Sequence, residues 1–186
     1  ERLASRRGTL TLLIVGDSVG AKIFNDVIPE SVQELPAYVQ LEIWHQCGRH
    51  QTESVQRAYG DVPANVTEFI DDMAQAYAWA DVVLCRAGAM TIAEIAASGS
   101  AAILVPYLYA VDDHQTLNAR FLSERDAAVL VPPAEFNPAR VRELLSGFAG
   151  NRELLLKLAR AARHLAVTDA AETVATICLE EATRHA

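Results

Sequence analysis

Two short stretches of the chain have the residue types needed to hold an anion. Gly16-Asp17-Ser18-Val19-Gly20-Ala21 and Arg86-Ala87-Gly88-Ala89-Met90-Thr91 each follow an apolar run and precede a segment of helical spacing. In the order strand, glycine turn, helix, small residues let main-chain N–H groups approach a phosphate at the helix N-terminus, where unpaired donors and the macrodipole favour negative charge. Ser18 adds a hydroxyl donor. Neither turn is a G-x-G-x-x-G or Walker A loop, and each taken alone fits a plain strand-to-helix turn equally well. Two of them at strand C-termini of one parallel sheet can open on a single crevice and face one diphosphate, a good leaving-group site.

Three polar features add to this. Glu94 is read on the first turn of a helix, where its carboxylate either stabilises the helix end or accepts hydrogen bonds from a vicinal diol such as that of a ribose. The stretch Asp112-Asp113-His114-Gln115-Thr116-Leu117-Asn118-Ala119 opens another helix. One of its aspartates is read as the N-cap, and His114 and Gln115 offer donors and acceptors suited to sugar hydroxyls. The pairs Asp71-Asp72 and Asp112-Asp113 are not read as metal ligands: adjacent helical residues face different ways, and capping accounts for both pairs. No metal and no cofactor is expected. His45 and His50, outside any strand-to-helix turn, are read as structural or surface residues.

Apolar runs at Thr9 to Val15, Val39 to Trp44, Val66 to Ile70, Asp81 to Cys85, Ala101 to Val105 and Ala127 to Val131 read as about six strands. Their continuous rather than alternating hydrophobicity implies strands covered on both faces, hence an α/β domain with a Rossmann-like, doubly wound parallel sheet. After Pro138 the pattern is helical only, at Ala139 to Phe148, Arg152 to Leu165 and Ala170 to Ala182, with Asn137 and Thr168 as candidate caps. These extra helices would close the domain or reach toward a neighbour.

The 186 residues suit one domain with a core of its own, and the formal net charge of -8 disfavours a nucleic-acid partner, which requires clustered Lys and Arg. Cys47, Cys85 and Cys178 are odd in number and widely spaced, consistent with a reducing compartment. No run approaches the ~18 apolar residues of a membrane span, and Glu1 to Arg7 lacks the core of a signal peptide. The polar start without an initiator Met leads us to expect a fragment.

Several stretches in one register resemble the MurG family of bacterial peptidoglycan N-acetylglucosaminyltransferases. They are Ile43-Trp44-His45-Gln46, Val66-Thr67-Glu68-Phe69-Ile70-Asp71-Asp72-Met73 with Ala76-Tyr77-Ala78-Trp79-Ala80-Asp81, Arg86 through Glu94, and Asp113-His114-Gln115 through Asn118-Ala119. The resemblance runs from about Arg2 to the end. It implies the two-domain GT-B architecture: residues 1–8 a linker remnant, 9–186 the UDP-GlcNAc-binding (donor) domain, and an N-terminal acceptor domain absent from this chain. The implied donor site comprises Ile70, reading the uracil edge through its backbone, with Phe69 and Met73 beside it; Glu94 on the ribose hydroxyls; Ser18, Ala89, Met90 and Thr91 on the diphosphate; His114 and Gln115 on the GlcNAc hydroxyls; and Arg86 at the edge of the site. Catalytic residues are expected in the absent half, so the 186-residue chain alone is expected to transfer nothing.

The implied partners are UDP-GlcNAc and, through the absent half, the lipid-linked muramyl-pentapeptide acceptor (lipid I), with no nucleic acid. The implied place is peripheral, on the cytoplasmic side of the bacterial inner membrane. Alternatives are another GT-B UDP-sugar enzyme, or a donor-binding subunit with a separate membrane-anchored partner. One departure stands out: the family's Gly-Gly-Ser is here Gly16-Asp17-Ser18. A carboxylate ~4 Å from a diphosphate opposes binding by about 1 to 4 kcal/mol, the alternative being that Asp17 points away and caps the helix. Asp17→Gly is therefore expected to tighten UDP binding in a calorimetric titration.

Overall fold

Strands form where apolar residues run without interruption, and the burial follows: Val82–Cys85 and Ala101–Leu104 are buried at every position. The computed structural model describes Arg6 and residues 8–16, 22–107 and 113–184. The described strands are β1 (Leu10–Val15), β2 (Leu41–Gln46), β3 (Ala64–Thr67), β4 (Val82–Cys85), β5 (Ala101–Leu104) and β6 (Val129–Leu130). They form one sheet in the order β3-β2-β1-β4-β5-β6, with every pairing parallel. This is the doubly wound order, whose direction reverses between β1 and β4 and so leaves a crevice at the strand C-termini there.

The helices are α1 (Lys22–Gln33), α2 (Thr52–Tyr59), α3 (Met73–Trp79), α4 (Ala89–Ser98), α5 (His114–Ser123), α6 (Pro138–Gly150), α7 (Arg152–His164) and α8 (Ala170–Arg184). Side chains alternate across the sheet, so each face has its own core. Leu10, Leu12 and Ile14 meet Phe24, Ile28, Tyr59 and Leu145 on one face. Leu13 and Val83 meet Tyr77, Ile92, Ile95 and Leu122 on the other. In α7, Leu155, Leu158, Ala159 and Ala162 recur at helical spacing and are all buried. Each buried Leu contributes roughly 1.5–3 kcal/mol of transfer free energy. Helix α8 contributes none of it, because none of its residues is buried and Val174, Ile177 and Leu179 are exposed.

All six expected strands are present; β1, β4 and β5 differ from the expected runs by one residue, and β2, β3 and β6 by more. Strand β2 continues through His45 and Gln46, whose polarity hid them, while Val39 is buried ahead of the strand without joining the ladder. Strand β3 ends at Thr67, and Ile70 owes its burial to the loop tucking beneath α3 rather than to pairing. Strand β6 is reduced to two residues. Asn137 caps α6 as expected, accepting from Arg140 N at 3.1 Å. Thr168 does not hold the position before α8: Thr173 N donates to the Asp169 carbonyl.

At the opposite edge of the sheet from the crevice, Asp81 is almost fully buried at 1% exposure and takes Arg6 Nη1 at 2.9 Å, Arg152 Nη1 at 2.6 Å and Thr11 N at 3.1 Å. Arg6 also donates to the carbonyls of Ala78 and Trp79, and Arg152 to those of Gly8 and Thr9. Arg6, assigned to the linker by sequence, is thus bonded to the domain.

Candidate functional site

Helix α4 begins at Ala89, one turn earlier than the sequence reading, with Gly88 as N-cap. The N–H groups of Ala89, Met90 and Thr91 therefore have no intrahelical acceptor, and Ala89 and Met90 are exposed. Gly88 is extended (φ -63°, ψ 149°), and a Cβ there would meet only Thr91 Oγ1 at 3.7 Å, an ordinary contact. Neither backbone conformation nor packing requires this glycine; what a side chain would occupy is the space in front of the N–H groups. By contrast Gly99, which ends α4 at φ +61°, has Arg163 Cβ 3.1 Å from where its own Cβ would lie.

Starting α4 at Ala89 moves Glu94 out of the first turn, which holds no acidic residue. That removes the helix-end explanation, since the dipole acts within the first turn. Glu94 is half-buried and accepts the Tyr77 hydroxyl at 2.8 Å. Burial, the first cause, and the neighbouring Cys85 and Glu94 push the Tyr77 phenol up, so it remains an O–H donor. The bond fixes Oε2 and leaves acceptor capacity on the carboxylate. Tyr77 and Glu94 line a cavity of about 530 Å³ between α3 and α4 together with Met73, Ala74, Ala97 and Ser98.

Ile70 is buried at 3% exposure, which anchors its backbone beside this cavity. Its main-chain N–H and C=O make no hydrogen bond to another described residue. Met73 lines the cavity, while Phe69 stands in solvent at 60% exposure. Asp72 caps α3 by accepting from Gln75 N at 2.8 Å. Asp113 departs from the expected cap: it is left-handed (φ 53°), its side chain makes no bond to a helix N–H, and its carboxylate accepts from Thr116 Oγ1 at 2.6 Å.

His114 and Gln115 open α5, and His114 is exposed. Gln115 Oε1 accepts from Ala87 N at 3.3 Å and Tyr107 N at 2.9 Å, and its amide nitrogen finds no hydrogen-bond partner among the described residues. Asn118 Nδ2 donates to Ala87 O at 3.1 Å, so α5 is tied to the turn after β4. Arg86 is buried and donates to the carbonyls of Val105 and Pro106 at 3.2 and 2.9 Å, with its guanidinium 5.0 Å from the Phe24 ring centroid. Its geometry is that of a clamp between the ends of β4 and β5. Ser18 and Asp17 lie outside the described residues, as does Asp112.

His45 donates or accepts at the Tyr59 hydroxyl, 2.7 Å away, and burial lowers its pKa to about 4, so it is a neutral core imidazole. Sequence reasoning missed Tyr77 as the partner of Glu94; its signal was its place one turn after Met73 on the same face of α3.

A parallel sheet in this order with an open helix N-terminus at its switch-point edge, and with a carboxylate beside a cavity between the two helices that flank β4, defines the doubly wound α/β class of domain. The profile of the glycosyltransferase family 28 C-terminal domain matches residues 11–174, and the chain belongs to that family. Two relatives bear the name UDP-N-acetylglucosamine--N-acetylmuramyl-(pentapeptide) pyrophosphoryl-undecaprenol N-acetylglucosamine transferase. The one from Marinobacter nauticus is 46% identical over 98% of this chain and 51% of its own length. The one from Aeromonas hydrophila is 50% identical over 98% of this chain and 50% of its own. The crystal structure of Acinetobacter baumannii MurG superposes with a TM-score of 0.90 at 40% identity, over 96% of this chain and 52% of that one. The chain spans about half the length of the curated relatives it matches.

Proposed function

We propose that this chain is the donor-binding half of an inverting glycosyltransferase that carries GlcNAc from UDP-GlcNAc to undecaprenyl-pyrophosphoryl-MurNAc-pentapeptide, lipid I. The observation that carries the reading is the single helix α4. Its N-terminal N–H groups are open, and Glu94 stands five residues along it, about 7.5 Å by the helical rise. That separation is of the order of the span from a ribose diol to its 5′-diphosphate. The buried Ile70 supports an adjoining base subsite that reads the uracil edge through main-chain groups, with Met73 and Phe69 beside it. Ala89, Met90 and Thr91, with Ser18, take the diphosphate; His114 and Gln115 take the GlcNAc hydroxyls, Gln115 through its amide nitrogen. Arg86 serves the site by holding the β5 end.

In the reaction the acceptor C4 hydroxyl attacks C1 of GlcNAc, the bond from C1 to the UDP oxygen breaks, and a β-linkage forms. The proton passes to a base in the other half of the protein. Charge developing on UDP meets donors already oriented toward it, which costs no reorganisation at the moment of reaction. Two observations support a second half carrying the acceptor site: the relatives are about twice as long as this chain, and the apolar residues of α8 lack cover among the described residues. No described helix is long and apolar enough to cross a membrane, which fits peripheral attachment to the cytoplasmic face of the inner membrane through that other half.

The test is a calorimetric titration of UDP-GlcNAc against this chain and its Glu94→Ala variant. Loss of charge-assisted hydrogen bonds should weaken binding roughly 10- to 100-fold. Equal binding by both chains, or turnover of lipid I by this chain alone, would overturn the corresponding part of the proposal.

A further inference from the structure

Strand β3 begins too late to cover the start of its neighbour. Its first residue, Ala64, stands opposite Ile43, so Leu41 and Glu42 of β2 have β1 on one side and no strand on the other. Leu10 N donates to the Gln40 carbonyl at 2.8 Å, so the carbonyl of the next residue, Leu41, points away from β1. Extending the β2–β3 register backward brings residue 63 to that carbonyl, and residue 63 is a proline, which has no N–H to give. Pro63 therefore stops the ladder and leaves a main-chain acceptor at its edge.

That edge borders a cavity of about 640 Å³ whose walls include Leu41, Glu42, Trp44, Gln56, Asn65 and Trp79. The two indoles are half-buried and meet edge to face, with ring centroids 5.8 Å apart and planes at 78°. Trp44 is held in place by Nε1, which donates to Thr67 Oγ1 at 3.3 Å. Glu42 is exposed and has no ion-pair partner among the described residues, and among them neither Lys nor Arg lines the cavity. The side-chain carbonyls of Gln56 and Asn65 add acceptors to that of Leu41. Aromatic faces attract cations, indole most of all, and a planar guanidinium both stacks on such rings and carries five N–H donors for the acceptors around it. A quaternary ammonium would leave those acceptors unused, and an anion would be repelled by Glu42. The net charge of -8 favours a cation at longer range as well. We propose that this cavity binds the guanidinium group of a small arginine-like ligand, with Glu42 as its counter-ion and Trp44 and Trp79 as its aromatic walls. The cavity lies where β2 and β3 start, at the opposite end of the strands from the crevice, so it stands independently of the donor-site reading.

Trp44 and Trp79 are the two tryptophans of the chain, so its indole fluorescence reports on this cavity. Arginine amide titrated into the wild-type chain should change that fluorescence saturably. Citrulline amide, of nearly the same shape but without the guanidinium charge, should not. Glu42→Gln should weaken arginine amide roughly tenfold, the size of one hydrogen bond to a charged group. Trp79→Leu, followed through the emission of Trp44, should weaken it roughly fivefold. Should Trp79→Leu fail to fold, Glu42→Gln decides, being a change at an exposed residue. An equal response to arginine amide and citrulline amide, or no saturable response to either, overturns the proposal. So does unchanged affinity in Glu42→Gln, which would mean that the cation is held only by the diffuse negative charge of the surface.

Discussion

Asp81 and Glu94 are carboxylates at opposite ends of the unit formed by β4 and α4, and they are used in opposite ways. Asp81 is sealed from solvent and saturated: Arg6 and Arg152 take both oxygens, and Thr11 N adds a third bond. Glu94 is half-buried, has the Tyr77 hydroxyl as its bonded partner and borders a cavity. A carboxylate sealed from solvent with both oxygens held by protein donors can only hold the fold. One oriented by a single bond and left with acceptor capacity can bind something else.

The comparison breaks first at Asp81. Replacing it with Ala leaves two partly buried guanidinium groups without their anion and should cost about 3–5 kcal/mol in urea unfolding. UDP affinity of the folded chain should be unchanged; a parallel fall in affinity would erase the distinction between the two ends. The pH dependence has a definite sign. Burial pushes the Asp81 carboxyl up, but bonds from Arg152 and Arg6 outweigh it and hold the group below its ordinary value. Its folded pKa is thus depressed, so its contribution is complete above the unfolded value of about 4 and is lost as pH falls through the folded value. Stability measured from neutral pH down to acid should show that loss in the wild type and not in Asp81→Asn.

The Glu94 end is sharpened by Tyr77→Phe, which keeps the ring and deletes the donor. UDP binding should weaken roughly fivefold, the size of one ordinary hydrogen bond, with stability changed by less than about 1 kcal/mol. Equal affinity would mean that Glu94 needs no orienting partner. The smallest effect is expected at His50, a left-handed non-glycine residue (φ 59°) in the loop after β2. His50→Gly relieves that conformation while preserving the bond from its N–H to Glu68, and should raise stability by about 1 kcal/mol in thermal unfolding without altering UDP affinity.

Much of this was legible in the sequence because hydrophobic runs report burial. The strands, the doubly wound class and the glycine turn at Gly88 followed from local patterns. What escaped was burial without hydrophobicity and contact without proximity. His45 and Gln46 are strand residues whose side chains bond to Tyr59 and Gly16, distant in sequence. Arg6 and Arg152 looked like a linker cation and a helix-start cation, and only the fold brings both onto Asp81. Glu94 was placed a turn too early because Ala89 to Thr91, following Gly88, resemble a loop until the Gly88 carbonyl is seen accepting from Ile92 N.

The shared acceptor at Gln115 has a mechanical consequence. One oxygen holds the N–H of Ala87, next to the open end of α4, and the N–H of Tyr107, past β5. Neither loop can shift without straining its bond to the oxygen it shares with the other. The turn after β4 and the segment after β5 are therefore coupled as one lever, so a disturbance at either should be felt at both.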